Sequence, residues 1–155
     1  MINKKDLKKF LKEAKINTYA SGGEEGEVRL KDSGKKFEYK KGNFYYRDIY
    51  YGFNPFIGEE IVCQGEKVVW GMNYCGKIVS KIILPKQIYQ FLQEALRKIP
   101  KNKPYRGPNR LKKDNFEYLN KVKGIIEKFE GEETIFYKGR LVYKLIYHGG
   151  IIIEK

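Results

Sequence analysis

Histidine is nearly absent from this 155-residue chain: His148 is the only one, beside two cysteines, Cys63 and Cys75, and three serines, Ser21, Ser33 and Ser80. No Gly-x-Ser-x-Gly elbow is present, so a serine triad has no support, and two cysteines with one histidine fall short of a four-ligand zinc site. The cysteines form no spaced framework for disulfides, and both are expected to be reduced. No run approaches the roughly 18 apolar residues of a spanning helix, and the lysine-rich amino terminus lacks the apolar segment of a secretory signal. A phosphate-cradling loop is missing as well, because Gly22-Gly23-Glu24-Glu25-Gly26 has the wrong spacing and carries acids where phosphate would sit. These absences predict a cytoplasmic protein without membrane contact, metal or cofactor. They leave no residue assigned as catalytic.

What is present is a core and a charge. At 18.3 kDa, with 41% hydrophobic and 15% aromatic residues, the chain is sized for one domain spanning 1–155. Its 32 basic and 19 acidic residues leave a net charge of +13, a field that attracts phosphates and nucleic acid.

Laid over itself, the chain repeats. Lys40-Lys41-Gly42-Asn43-Phe44-Tyr45-Tyr46 matches Lys112-Lys113-Asp114-Asn115-Phe116-Glu117-Tyr118, and Gly58-Glu59-Glu60 matches Gly131-Glu132-Glu133. Ile61, Gly65, Tyr74 and Gly76 then find Ile135, Gly139, Tyr147 and Gly149, and upstream Phe10-Leu11-Lys12-Glu13-Ala14 returns as Phe91-Leu92-Gln93-Glu94-Ala95. The matches keep their order, which predicts an internal duplication with unit one at about 2–82 and unit two at about 83–155.

Each unit reads as a helix, a basic loop and three strands. Leu7, Phe10, Leu11 and Ala14 fall at helical spacing, as do Ile88, Phe91, Leu92 and Ala95, with Pro85 suited to a first turn and Pro100 just past the end. Period-two alternation puts Phe44, Tyr46, Asp48 and Tyr50 on one strand face, and Phe116, Tyr118, Asn120 and Val122 on its counterpart. Turns at Gly65-Glu66-Lys67 and Gly139-Arg140 would set Val62 opposite Trp70 and Phe136 opposite Tyr143, with a bend or bulge at Gly76 and Gly149. The expected fold is α+β: two αβββ units forming a mostly antiparallel sheet, helices on one face, about a pseudo-twofold axis. Residues 16–34 and 99–113 are expected to be loops, the first of them mobile.

Charge is segregated along the chain. Residues 82–113 carry +8 and residues 48–66 carry −4. In the stiff Pro104-Tyr105-Arg106-Gly107-Pro108 context, Arg106 is placed to fork onto a phosphate or carboxylate, with a solvated surface as the equal alternative. Glu59-Glu60 and Glu132-Glu133 open equivalent strands, either as a carboxylate pair across the axis or, more commonly for such residues, as acids capping a turn. Asp48 points with Tyr46 and Tyr50 into the presumed core, so it needs a tyrosine hydroxyl or a basic residue from 103–113. Cys75 and His148 hold equivalent places, and a thiol–imidazole pair between them is a minor alternative to ordinary strand-end packing.

With Tyr45-Tyr46-Arg47-Asp48, Trp70-Gly71-Met72-Asn73-Tyr74-x-Gly76, Pro104-Tyr105-Arg106-Gly107-Pro108 and Tyr147-His148-Gly149-Gly150 assembled, the chain resembles a bacterial family described only as a domain of unknown function. Its members stand alone or behind a helix-turn-helix segment in transcriptional regulators. The resemblance covers most of the chain and supplies no activity, and Cys75 stands where the family's pattern implies an aromatic. The duplicated plan is also similar to regulator domains that hold small molecules between two halves, often cations at a central glutamate.

From the net charge, however, the expected ligand is a small anion, a nucleotide or cyclic nucleotide, held between the units of a non-enzymatic module. Tyr51, Trp70 and Tyr74 would wall the site, Arg47 and Arg106 would take the anion, and Asn73, Asp48 and His148 would complete it. The alternatives are a nucleic-acid-associated regulatory protein and a small hydrolase or lyase using Asp48 or a glutamate pair. Either a monomer or a homodimer is compatible with the duplication.

Overall fold

The computed structural model describes residues 2–21 and 26–153. Gly22 and Gly23 of the expected mobile loop lie outside the described residues. In chain order the elements are α1 (Lys4–Ile16), a 3-10 turn (Tyr19–Ser21), β1 (Val28–Arg29), β2 (Lys35–Lys41), β3 (Phe44–Gly52), β4 (Phe56–Gln64), β5 (Lys67–Ile78), α2 (Pro85–Arg97), β6 (Arg110–Lys113), β7 (Phe116–Ile125), β8 (Lys128–Tyr137) and β9 (Arg140–Ile151). The strands form one antiparallel sheet in the order β1-β2-β3-β4-β5-β9-β8-β7-β6. The two longest strands, β5 and β9, meet in the middle, flanked by β4 to β1 on one side and by β8 to β6 on the other.

Both helices form where the apolar spacing asks for them. Asn3 caps α1 by accepting from the backbone of Lys5 and Asp6, and Pro85 occupies the first turn of α2, where its missing N–H costs nothing. Leu7, Phe10, Leu11 and Ala14 of α1, and Ile88, Phe91, Leu92 and Ala95 of α2, are all buried. They share one hydrophobic core with alternate residues of the strands, among them Tyr46, Val62, Trp70, Met72, Tyr118, Ile135, Val142 and Leu145. Phe10 stacks on Phe44, and Phe91 on Phe116, with ring centroids 5.0 and 4.8 Å apart.

Three sequence expectations need correction. Residues 110–113, read as loop, are strand, and so are residues 35–41, unassigned between the 16–34 loop and the first expected strand; in β2 the alternation of Phe37 and Tyr39 is hidden by five lysine and glutamate neighbours. Phe136 lies opposite Leu141 rather than Tyr143, because an irregularity between Ile135 and Phe136 shifts the register and gives Tyr143 to Ile135. A matching shift falls between Val62 and Cys63, while Val62 does face Trp70. Gly76 and Gly149 are neither bends nor bulges but ladder positions in the central β5–β9 pair.

The register places matching residues at matching points of the two meanders. Asp48 faces Glu60, which faces Met72; Asn120 faces Glu133, which faces Leu145. Tyr74 and Tyr147, opposite each other at the centre, each lean over a glycine of the next strand. A β-carbon on Gly58 would lie 2.2 Å from the Tyr74 ring, and one on Gly131 would lie 2.1 Å from the Tyr147 ring. Only glycine admits these tyrosines.

Candidate functional site

A cleft of about 230 Å³ opens between the helices and the β2–β5 side of the sheet. Rings from Tyr19, Tyr50, Phe53, Phe56, Tyr74 and Tyr89 line it, and its polar lining includes Lys15, Glu27, Asp48, Glu60, Gln93 and Arg106. Beneath the polar wall runs a buried network of charges. Lys15, on the same helical stripe as Leu7 and Leu11, turns its ammonium inward to Glu60, to the Tyr105 carbonyl at 2.7 Å and over the Trp70 ring at 5.7 Å. Arg106 forks onto Glu133, Nε to Oε2 at 3.0 Å and Nη2 to Oε1 at 2.8 Å, while the Tyr118 and Tyr143 hydroxyls donate to the same carboxylate at 2.6 and 3.0 Å. Its guanidinium also lies 5.8 Å over the Tyr74 ring.

Asp48 is treated differently. The Tyr74 hydroxyl donates to Oδ1 at 2.7 Å, and among the described residues no lysine or arginine forms an ion pair with Asp48. Burial and the neighbouring Glu60 carboxylate push its pKa up to about 7, against the Tyr74 hydrogen bond and the charges of Lys15 and Arg106. Burial pulls the Lys15 pKa down, with Glu60 opposing. For Arg106 the cost of burial is overcome by Glu133, which holds the guanidinium pKa above its ordinary value. Burial and Asp48 together raise the Tyr74 hydroxyl, which keeps its proton and remains a donor.

Position 120, the counterpart of Asp48, carries the neutral residue and is closed off. Asn120 accepts from the Tyr147 hydroxyl at 2.8 Å and donates to the Gly107 carbonyl at 3.0 Å, and the Gly107 N–H donates to the Tyr118 hydroxyl at 3.0 Å. The Pro104–Gly107 segment is buried. Of the two readings of Arg106, the fork onto a carboxylate holds rather than the solvated surface, and its loop inserts into the β7–β9 side of the protein.

The residues singled out in the sequence separate into two groups. Asp48, Tyr74 and Arg106 line the cleft, and Trp70 lies under it, stacked on Phe129 at 5.9 Å. Tyr51, Asn73 and His148 face the other way, in a shallow depression of the opposite sheet face together with Ile57, Cys75 and Ile146. Tyr51 donates to Asp32 at 2.7 Å. Arg47 alternates with Tyr46 and Asp48 and so also points away from the cleft, near Glu38. Cys75 lies opposite Ile146, and His148 opposite Asn73, so the two are not register partners. Glu60 and Glu133, read as turn caps or a catalytic pair, are instead buried anchors for Lys15 and Arg106.

Lys15, Tyr19 and Tyr89 escaped the sequence reading. Lys15 carried a signal, because it follows Leu7 and Leu11 at i+8 and i+4 on the buried stripe. Glu60 did too, sharing its strand parity with Val62, whereas Glu59 does not.

Among the described residues no cluster of three or more His, Cys, Asp and Glu side chains could hold a metal ion, and no helix is long and apolar enough to cross a membrane. Fold and site define an α+β sheet protein with an internal, aromatic-walled polar cleft. A family model described as a domain of unknown function, DUF5680, matches residues 48–152, more than half of the chain, and the chain belongs to that family. The match begins at Asp48, so α1 with Lys15 lies ahead of it. Among curated proteins and among solved structures, nothing matches.

Proposed function

We propose that this protein is a non-enzymatic, cytoplasmic module that senses or sequesters a small ring-bearing ligand in the cleft beside Asp48. One observation carries the reading: a cavity of about 230 Å³ is lined by nine aromatic residues and contains a carboxylate that is 5% exposed and without an ion-pair partner among the described residues. Concave, largely apolar sites with a few convergent polar groups are where proteins hold small molecules. Among the described residues no histidine or cysteine lines the cleft, and the one aliphatic hydroxyl, on Thr18, already donates to the Ala14 carbonyl at 2.8 Å. No serine, threonine, cysteine or histidine nucleophile is therefore set up in the cleft among the described residues.

The chain is read as an internal duplication of two units, the first now a helix followed by five strands and the second a helix followed by four, with both helices against the same face of the sheet. One unit keeps an open cleft and the other is filled by its own loop. The bacterial family that the sequence resemblance implies supplies no activity, and no regulator role is carried over from its helix-turn-helix members. A nucleotide-like anion, the ligand expected from net charge, could reach Lys15 or Arg106 only by displacing Glu60 or Glu133.

Native mass spectrometry of the purified protein, before and after mild denaturation and against a panel of nucleotides and small aromatic compounds, tests the reading. A compound retained by the wild type and lost in Gln93→Trp, which narrows the cleft from α2, is the expected outcome. Retention unaffected by Gln93→Trp, or a protein that ignores the whole panel, contradicts it.

A further inference from the structure

The cleft's chemistry can be taken further by matching charges. Three cations and three carboxylates at or under its walls are already paired: Lys15 with Glu60, Arg106 with Glu133, and Lys35 with Glu27 at 3.9 Å. Asp48 is the fourth carboxylate. Its Oδ1 takes the Tyr74 hydrogen bond, while among the described residues Oδ2 has no hydrogen-bond partner and is not among the fully enclosed unsatisfied atoms. A buried carboxylate that must ionise is stabilised by a counter-charge bearing N–H donors.

The β7–β9 side, where Glu133 corresponds to Glu60 and Asn120 to Asp48, shows a flat cation held by a buried carboxylate among tyrosines. There the chain supplies its own: the flat Arg106 guanidinium, forked on Glu133 among the Tyr118 and Tyr143 hydroxyls, with the following Gly107 carbonyl on Asn120. On the β2–β5 side the corresponding strand positions hold Tyr46, Asp48, Glu60 and Tyr74. Two differences matter. Asp48 stands where the other side has an asparagine that accepts from the Tyr147 hydroxyl and donates to the inserted loop, and the cleft opens beside Asp48. The amide wants a carbonyl from its own chain, whereas the carboxylate wants a donor.

We infer that the ligand is a flat monocation presenting N–H donors from an aromatic ring, of the amidinium or guanidinium class, with Asp48 as its anchor and the cleft's aromatic rings as its walls. The inference rests on the proposed role of the cleft as a ligand site. Positive net charge does not oppose it, since the surface lysines that produce +13 are solvated and screened, whereas the charge nearest the ligand is the carboxylate.

Three probes with one ring and different charges separate the possibilities: benzamidine, benzamide and benzoate, each titrated at pH 8 by ligand-observed NMR into the wild type, Asp48→Asn and Gln93→Trp. Asp48→Asn is expected to fold, because asparagine occupies the matching position at 120; a circular dichroism melt checks this. The expected result is benzamidine binding the wild type at least about tenfold more tightly than benzamide or benzoate. That advantage disappears in Asp48→Asn, and all binding is lost in Gln93→Trp. Benzamide or benzoate binding as well as benzamidine, with sensitivity to Gln93→Trp, overturns the cation assignment and leaves the binding module standing. An unchanged preference for benzamidine in Asp48→Asn likewise removes Asp48 as anchor. No binding by any probe at millimolar concentration counts against both.

Discussion

Tyr74 reaches Asp48 across a whole strand: its hydroxyl donates to Asp48 Oδ1 at 2.7 Å by lying over Gly58 of the intervening β4. Tyr147 does the same over Gly131 to Asn120 at 2.8 Å. In each case a glycine on one strand sets the polar contact between its two neighbours, so backbone, packing and site chemistry are tied at one point.

Gly58→Ala tests that tie. The added methyl would sit 2.2 Å from the Tyr74 ring, a clash that only movement of the tyrosine or the strands relieves. Overpacking of this kind costs about 1–3 kcal/mol, and detachment of Tyr74 adds a lost buried hydrogen bond. Urea denaturation is expected to show at least that loss, with Tyr74→Phe losing less. Wild-type stability in Gly58→Ala would contradict the packing described.

The Arg106–Glu133 fork predicts strong non-additivity. Glu133→Gln leaves a guanidinium buried without its counter-charge and should destabilise by roughly 3–5 kcal/mol. Arg106→Met in the Glu133→Gln background removes the stranded charge, so the double variant is expected to be more stable than Glu133→Gln alone. Simple addition of the two effects in denaturant titrations would show that the groups are not coupled.

Asp48 predicts an inverted pH dependence for one carboxyl. Its pKa is about 7 in the folded protein against an ordinary value of 3.8, so between these values the native state holds more protons than the unfolded chain. Its contribution to stability is complete below the unfolded pKa and is lost as pH rises through about 7, a change of at most a few kcal/mol. Asp48→Asn should remove this slope and be more stable than wild type at pH 8. Parallel stability–pH curves for the two proteins would rule out the raised pKa.

Much of the fold was legible in the sequence, and the reasons are local. Helical spacing from Leu7 to Ala14 and from Ile88 to Ala95, and period-two alternation at Phe44–Tyr50 and Phe116–Val122, are direct consequences of burying one face. β2 and β6 were missed because lysines dominate them and their partly exposed positions tolerate charge. The site was legible only in part. Asp48 stood out as an acid among core residues, and a tyrosine hydroxyl was one of its two anticipated partners, but nothing local shows that Arg106 turns inward or that the Lys15 ammonium lies over Trp70. Those depend on which loop fills which half of the sheet. Alternation alone could have separated Arg47 from Asp48, since adjacent strand residues point to opposite faces.

The measurement that bears most directly on the central claim is a crystal structure of the protein soaked with benzamidine. The account predicts the ring between the aromatic walls of the cleft, with the amidinium on Asp48 and the Arg106–Glu133 and Lys15–Glu60 pairs intact. Benzamidine found only in the outer depression around Tyr51, Asn73 and His148, or on Glu60 with Lys15 displaced, would contradict it.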